Sequence, residues 1–101
     1  MVIKTGSVMQ TETMRQEILA AIADAKGQDT KTLDVRAVTD FTDYMIIVSG
    51  TSSRHVQTVA DKVRVHMRER GVRPVGSEGE ATGDWVLIDF GDVVVHIMRP
   101  Q

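Results

Sequence analysis

A chain of 101 residues, 42% hydrophobic and 26% charged, has the make-up of one globular domain, long enough to bury roughly 60–65% of the surface its unfolded form exposes. The absence of cysteine excludes disulfides, thiolate metal sites and thiol catalysis, and fits a reducing cytoplasm. A formal net charge of −2 argues against a nucleic-acid coat or a strongly acidic solvating protein, and no apolar run approaches the roughly 20 residues of a membrane span.

Met1–Gln10 has neither the apolar stretch of a signal peptide nor the Arg-rich character of a transit peptide. Residues 1–12 read as a flexible lead-in to a single domain over 13–101. A first helix is predicted from about Thr13, as N-cap with Gln16 in the capping-box position, to Lys26, with Gly27 as its left-handed cap. Its apolar stripe is Met14, Ile18, Ala21, Ile22 and Ala25. Leu33–Ala37 alternates like a half-buried strand, Val38–Asp43 reads as a connection, and Tyr44–Val48 is the continuous apolar run of a central strand covered on both faces. Ser49–Ser53 ends that strand and caps a second helix over about Arg54 to Arg70. Val56, Val59, Ala60, Val63 and Met67 form its stripe and Gly71 closes it. Val72–Val75 reads as a short edge strand because Pro74 cannot donate to a ladder, and Gly76–Asp84 as an exposed, mobile loop.

Two apolar runs then flank Gly91-Asp92, a dipeptide suited to a tight hairpin turn in which Gly supplies the positive φ of the first position. That turn sets Phe90 opposite Val93, Ile88 opposite Val95 and Val86 opposite Ile97, all on one face that can cover a core. The other face carries Trp85, Leu87, Asp89, Val94, His96 and Met98. It is too apolar to stand idle in water and too polar for a plain core, a mixture that suits a recognition surface. The competing reading has a helix or the chain's own tail covering it. The element order implies an α/β (α+β) domain, a mixed sheet with helices packed on one main face and a C-terminal β-hairpin. If both single-striped helices pack on the same side, the opposite sheet face is left to a partner.

Few groups carry chemistry of their own. Gly50-Thr-Ser-Ser53 lies where a helix N-terminus could bind an anion, but it lacks the Lys of a P-loop and the spacing of a dinucleotide fingerprint, and N-capping by Ser52 or Ser53 is the simpler reading. The strand–Gly-Thr/Ser–helix unit is similar to a nucleotidyltransferase scaffold, whose chemistry needs carboxylates converging on metal ions about 3.5–4 Å apart. Asp34, Asp43, Asp89 and Asp92 are the candidates, and no Asp-x-Asp pair shares one strand face, so neither catalysis nor a metal is expected. His55, His66 and His96 form no close ligand pair. His66 is expected to face water, and His96 to lie diagonally near Asp89, where a carboxylate contact could orient either group. Arg54, Lys62, Arg64, Arg68, Arg70 and Arg73 give the second helix and its exit a basic stripe interrupted by Asp61 and Glu69. A solvated face is the default, with Arg64 and Arg68 as possible supports for an RNA contact.

Asp40-x-x-Asp43-Tyr44, then Gly50-Thr-Ser-Ser-Arg-His-Val-Gln57, then Trp85-Val-Leu-Ile-Asp-Phe-Gly-Asp-Val-Val-Val-His96 follow one another in an order with high specificity. From about Thr13 to Pro100 the chain resembles the ribosomal silencing factor family, RsfS, also called Iojap or YbeB. The resemblance implies a nucleotidyltransferase-like fold without transferase activity and without a cofactor. It also implies binding to the large ribosomal subunit through ribosomal protein uL-fourteen, at the surface that meets the small subunit, so that subunits fail to join and translation falls. It assigns the main contact to Trp85, Leu87, Asp89, Val94, His96 and Met98. Trp85, Leu87 and Met98 would act as apolar anchors, Asp89 and His96 as orienting groups, and Arg99 would reach the rim. Tyr44 and the Asp40–Asp43 segment belong to the family pattern, either as binding or as fold-shaping residues. Family members form dimers, so a homodimer is expected when the chain is free. One departure stands out: family members continue past the Arg99-Pro100 position with a tail carrying an aromatic residue, an acidic pair and a terminal Trp, and this sequence ends at Gln101. Two other readings stay open, a minimal magnesium-dependent nucleotidyltransferase sensitive to Asp89→Asn and a small RNA-binding module using the second helix.

Overall fold

Gly91 takes φ 89° and Asp92 stays out of the left-handed region, the φ pattern of a type II′ turn. The chain therefore reverses tightly between β4 (Trp85–Asp89) and β5 (Val93–Met98). Phe90 N–H donates to the Val93 carbonyl at 2.9 Å, and Ile88 pairs with Val95 and Val86 with Ile97, the register the sequence requires. The structure, a computed structural model, describes residues 9–79 and 82–100. Residues 1–8 of the expected lead-in lie outside them.

The remaining elements are α1 (Thr11–Asp24), β1 (Gln28–Asp34), β2 (Tyr44–Ser49), α2 (Ser53–Glu69) and β3 (Gly76–Glu78). They complete a mixed five-stranded sheet of order β1-β2-β5-β4-β3, in which only β2 and β5 run parallel. A parallel pair needs a crossover, and α2 begins it. Met14, Ile18, Ala21 and Ile22 of α1 and Val56, Val59, Ala60, Val63 and Met67 of α2 are buried, the stripes expected from their spacing. They form one cluster with Ile46, Val48, Val86, Ile88, Val93, Val95 and Ile97 of the sheet. Both helices thus lie on one side in a two-layer α+β domain, compatible with a nucleotidyltransferase-like topology.

Several boundaries differ from expectation. α1 begins at Thr11 and ends at Asp24, after Gln10 as an N-cap that makes no side-chain capping bond. The turn carboxylate of Asp92 accepts from Thr11 Oγ1 at 3.0 Å, so a distant acid stands at the helix N-terminus where a local capping box was expected. At its C-terminus, Lys26 occupies the left-handed position with φ 63°. Lys26 N–H reaches Ala23 O and Gly27 N–H reaches Ile22 O, a Schellman motif. Gly27 serves close packing instead, since a Cβ there would lie 2.6 Å from both Ile22 Cγ2 and Val48 Cγ2.

The first strand runs over Gln28–Asp34 and not Leu33–Ala37, because pairing with β2 starts directly after α1, through a register shift between Gln28 and Lys31. β2 is covered on one face only. Ile46 and Val48 are buried beneath the helices, while Met45 and Ile47 remain half-buried on the other side. The edge strand lies at Gly76–Glu78 and not Val72–Val75, since Val72 packs into the core as the buried residue closing α2. Val75 N–H then donates to Asp89 O at 2.7 Å and leads the chain onto β4. The expected loop over 76–84 therefore begins as a strand, and its residues 80–81 lie outside the described ones.

Candidate partner-docking face

Strand pairing arranges the uncovered face in rows. Leu33, Met45, Val94 and Asp89 lie side by side across β1, β2, β5 and β4. Lys31, Ile47, His96, Leu87 and Glu78 form the next row, and Ser49, Met98 and Trp85 the third. No described helix covers these rows, and Trp85 is 52% exposed. The sequence reading brought together Trp85, Leu87, Asp89, Val94, His96 and Met98 but missed Leu33, Met45 and Ile47. The missing signal was period-two alternation within Tyr44–Val48, hidden because every position there is apolar.

Within the face, Trp85 Nε1–H donates to His96 Nδ1 at 3.2 Å, and the two rings lie 5.8 Å apart at 11°. The contact assigns the His96 proton to Nε2, and burial pushes its pKa below the ordinary 6.5. Asp89 does not make the expected contact with His96; its Oδ1 accepts from Gly91 N–H at 2.7 Å and stiffens the hairpin turn. Arg99 lies beside the Trp85 end, with its N–H on Asp84 O and its guanidinium 3.2 Å from the Asp84 carboxylate. Gly79, Glu78, Trp85 and Leu87 line a cleft of about 170 Å³.

Groups that could have signalled other chemistry are engaged within the fold. Ser52 accepts from His55 N–H at 3.0 Å as the α2 N-cap, and Ser53 Oγ donates to Asp84 at 3.2 Å. Thr51 N–H donates to His55 Nδ1 at 2.8 Å, and His55 Nε2 meets Ala25 O at 2.9 Å, tying the start of α2 to the end of α1. The Gly50–Ser53 segment is thus a capping and bridging device. Asp34 is held by Arg36, which keeps its carboxyl down at about 2, while Asp92 meets Thr11. Among the described residues no group of three His, Cys, Asp or Glu is placed to hold a metal ion.

Two members of the α2 basic stripe meet α1. Lys62 meets Asp24 at 3.0 Å and Arg70 meets Glu17 at 2.7 Å. His66, expected to face water, is partly buried and bonds Glu17 at 2.8 Å. Arg64 pairs with Asp61 at 2.7 Å, whereas Arg68 is exposed. Tyr44 lies on the helix side, away from the open face, with the Arg15 and Arg36 guanidiniums each 5.3 Å from its ring centroid. Asp43 and Tyr44 N–H groups both donate to Asp92 O, so this segment ties the β1–β2 connection to the hairpin turn and shapes the fold.

Fold and face together define a class: a two-layer α+β domain that leaves one half-apolar sheet surface outside its own core. The family model described as ribosomal silencing factor during starvation, RsfS, matches residues 8–101, and the chain belongs to that family. The ribosomal silencing factor of Chromobacterium violaceum is 42% identical over 92 residues, which span 91% of this chain and 75% of that protein. That of Haemophilus influenzae is 39% identical over 82 residues, 81% of this chain and 80% of that one. A mouse protein named mitochondrial assembly of ribosomal large subunit protein 1 is 31% identical over 87 residues, 83% of this chain but 38% of its own length. Crystal structures of a C. violaceum protein (TM-score 0.89, 42% identity, 91% of this chain and 77% of that one) and a Bacillus halodurans protein (0.83, 31%, 87% and 82%) share the fold.

Proposed function

We propose that this chain acts in the cytoplasm by docking its open sheet face on the large ribosomal subunit, through ribosomal protein uL-fourteen, where its bulk keeps the small subunit from joining. The mechanism is steric, with no bond made or broken and no enzymatic step. The observation that carries this reading is the uncovered face itself, with an exposed Trp85 bonded to His96 among half-buried apolar residues, in a member of the RsfS family. Trp85, Leu87 and Met98 are the anchors, with Val94 in the row beyond Leu87, and such desolvated aromatic centres dominate binding energies. Asp89 and His96 supply polar groups and Arg99 the rim. Arg68, which is exposed, and Arg64 would supply any peripheral contact with ribosomal RNA. When the chain is free, the same face pairs with a second copy.

The test is co-sedimentation with purified large and small subunits, with Trp85→Ala alongside. The wild type is expected to travel with the large subunit alone. Because half of the Trp85 side chain is already in water, the variant keeps its fold. Its affinity falls by more than about 2 kcal/mol, roughly thirty-fold. Normal co-sedimentation of a folded Trp85→Ala would refute this face.

A further inference from the structure

We infer that His96 is a positioning residue for Trp85, a latch that holds the indole beside its own ring while the imidazole is neutral, so that docking is gated by the protonation of His96. For docking this rests on the function proposed above; the latch itself has a readout in the free chain.

Trp85 ends its row at the margin of the sheet, opposite Met98, and half of it is exposed. Strand pairing alone does not fix such an indole. What fixes it is the diagonal neighbour: the near-parallel rings 5.8 Å apart and the Nε1–H···Nδ1 bond of 3.2 Å. Indole N–H is a donor only, so its partner must be an acceptor. Neutral His96 offers the Nδ1 lone pair; the imidazolium offers a second N–H and turns the bond into a donor–donor clash. A side chain already held in its bound pose loses less freedom on association, and releasing it weakens binding by roughly two- to tenfold.

The surroundings of His96 do little to favour its charged form. Flanking β2 contributes Met45, Ile47 and Ser49 and no titratable group, and flanking β4 contributes Asp89, whose carboxylate is turned to Gly91 N–H. One strand further out in the same row stand Lys31 on β1 and Glu78 on β3, of opposite charge. Arg99, beyond the strand end, is paired with Asp84. Burial lowers the pKa below its ordinary 6.5. The latch is therefore closed at neutral pH and opens as pH falls through that lowered value.

Trp85 is the only tryptophan, so its fluorescence reports the latch in the free chain without a partner. Breaking the Nε1–H···Nδ1 bond and releasing the indole changes its surroundings and so its emission, and the wild type is expected to titrate with a midpoint below 6.5. His96→Asn keeps an acceptor in the place of Nδ1 but no titration, and its emission should stay flat. His96→Leu removes the acceptor while keeping bulk. In co-sedimentation with the large subunit, wild-type binding should weaken through the same midpoint, whereas the binding of the Asn variant, whatever its level, should not change with pH over that range. The Leu variant should bind several-fold more weakly at every pH. An emission titration that is absent, or that persists in His96→Asn, overturns the latch. A Leu variant that binds like the wild type overturns the positioning role. Failure of the wild type to bind large subunits at neutral pH overturns the docking reading and the gate with it, while the emission titration still decides the latch.

Discussion

Lys26 and Gly27 divide a task usually given to one glycine. Lys26 adopts the left-handed conformation at φ 63°, which costs a side-chain-bearing residue about 1–2 kcal/mol, while Gly27 admits the close approach of Ile22 and Val48. Sequence reasoning saw that a cap was needed and placed it one residue late. It could not see the packing constraint, because Val48 arrives from a strand far along the chain. Gly27→Ala would place a methyl 2.6 Å from two buried γ-carbons, and overpacking of this kind costs about 1–3 kcal/mol. Urea unfolding should show that loss as a lower midpoint with unchanged slope. A stability equal to wild type would mean that the α1–β2 contact is looser than described. His96 teaches a related lesson: its type and face were legible, but its partner was Trp85 and not Asp89, since a carboxylate two residues before Gly91 finds a turn N–H closer at hand.

Among the elements, those with internal periodicity were legible and those without it were not. The stripes of α1 and α2 and the β4–β5 hairpin each state their own buried side. β1, almost wholly exposed, and the three-residue β3 carry no such statement; their existence is set by the neighbours they pair with. The pairing of α1 with α2 was equally hidden, because charged residues read as a solvated face regardless of which other helix they meet. Glu17 joins the two helices, and His66, followed by Arg70, holds its carboxyl below the ordinary 4.5. A carboxyl depressed in this way stabilises the fold above its ordinary pKa, and the gain is lost as pH falls through the depressed value. Glu17→Gln should therefore lower the thermal midpoint slightly at neutral pH, since a pair still in partial contact with solvent contributes little. The gap to wild type should close below the ordinary carboxylate range. A gap that persists in acid would assign the effect to packing rather than charge.

For the whole molecule, a steric mechanism makes order of addition decisive. Separated subunits mixed with this chain before magnesium is raised should join poorly, because the docking site on the large subunit is already occupied. The chain added to joined ribosomes should change their number little over the same interval, because the small subunit covers that site. Equal inhibition in both orders, read on a sucrose gradient, would mean that the chain pulls subunits apart rather than keeping them from meeting. No described helix is long and apolar enough to cross a membrane.

The strand order β1-β2-β5-β4-β3 puts the last of the described strands at the centre of the sheet. β5 supplies Val93, Val95 and Ile97 to the core and Val94, His96 and Met98 to the open rows, and the turn that starts it receives Thr11, Asp43 and Tyr44. Synthesis runs from the N-terminus, so a growing chain makes α1, β1, β2 and α2 long before the strand that joins them exists. Until then β2 and β4 have no common neighbour, and the rows on either side of β5 remain two separate, narrow ribbons. The nascent chain consequently has no complete open face before β5 is added. The two ribbons become one surface only when β5 itself has been made.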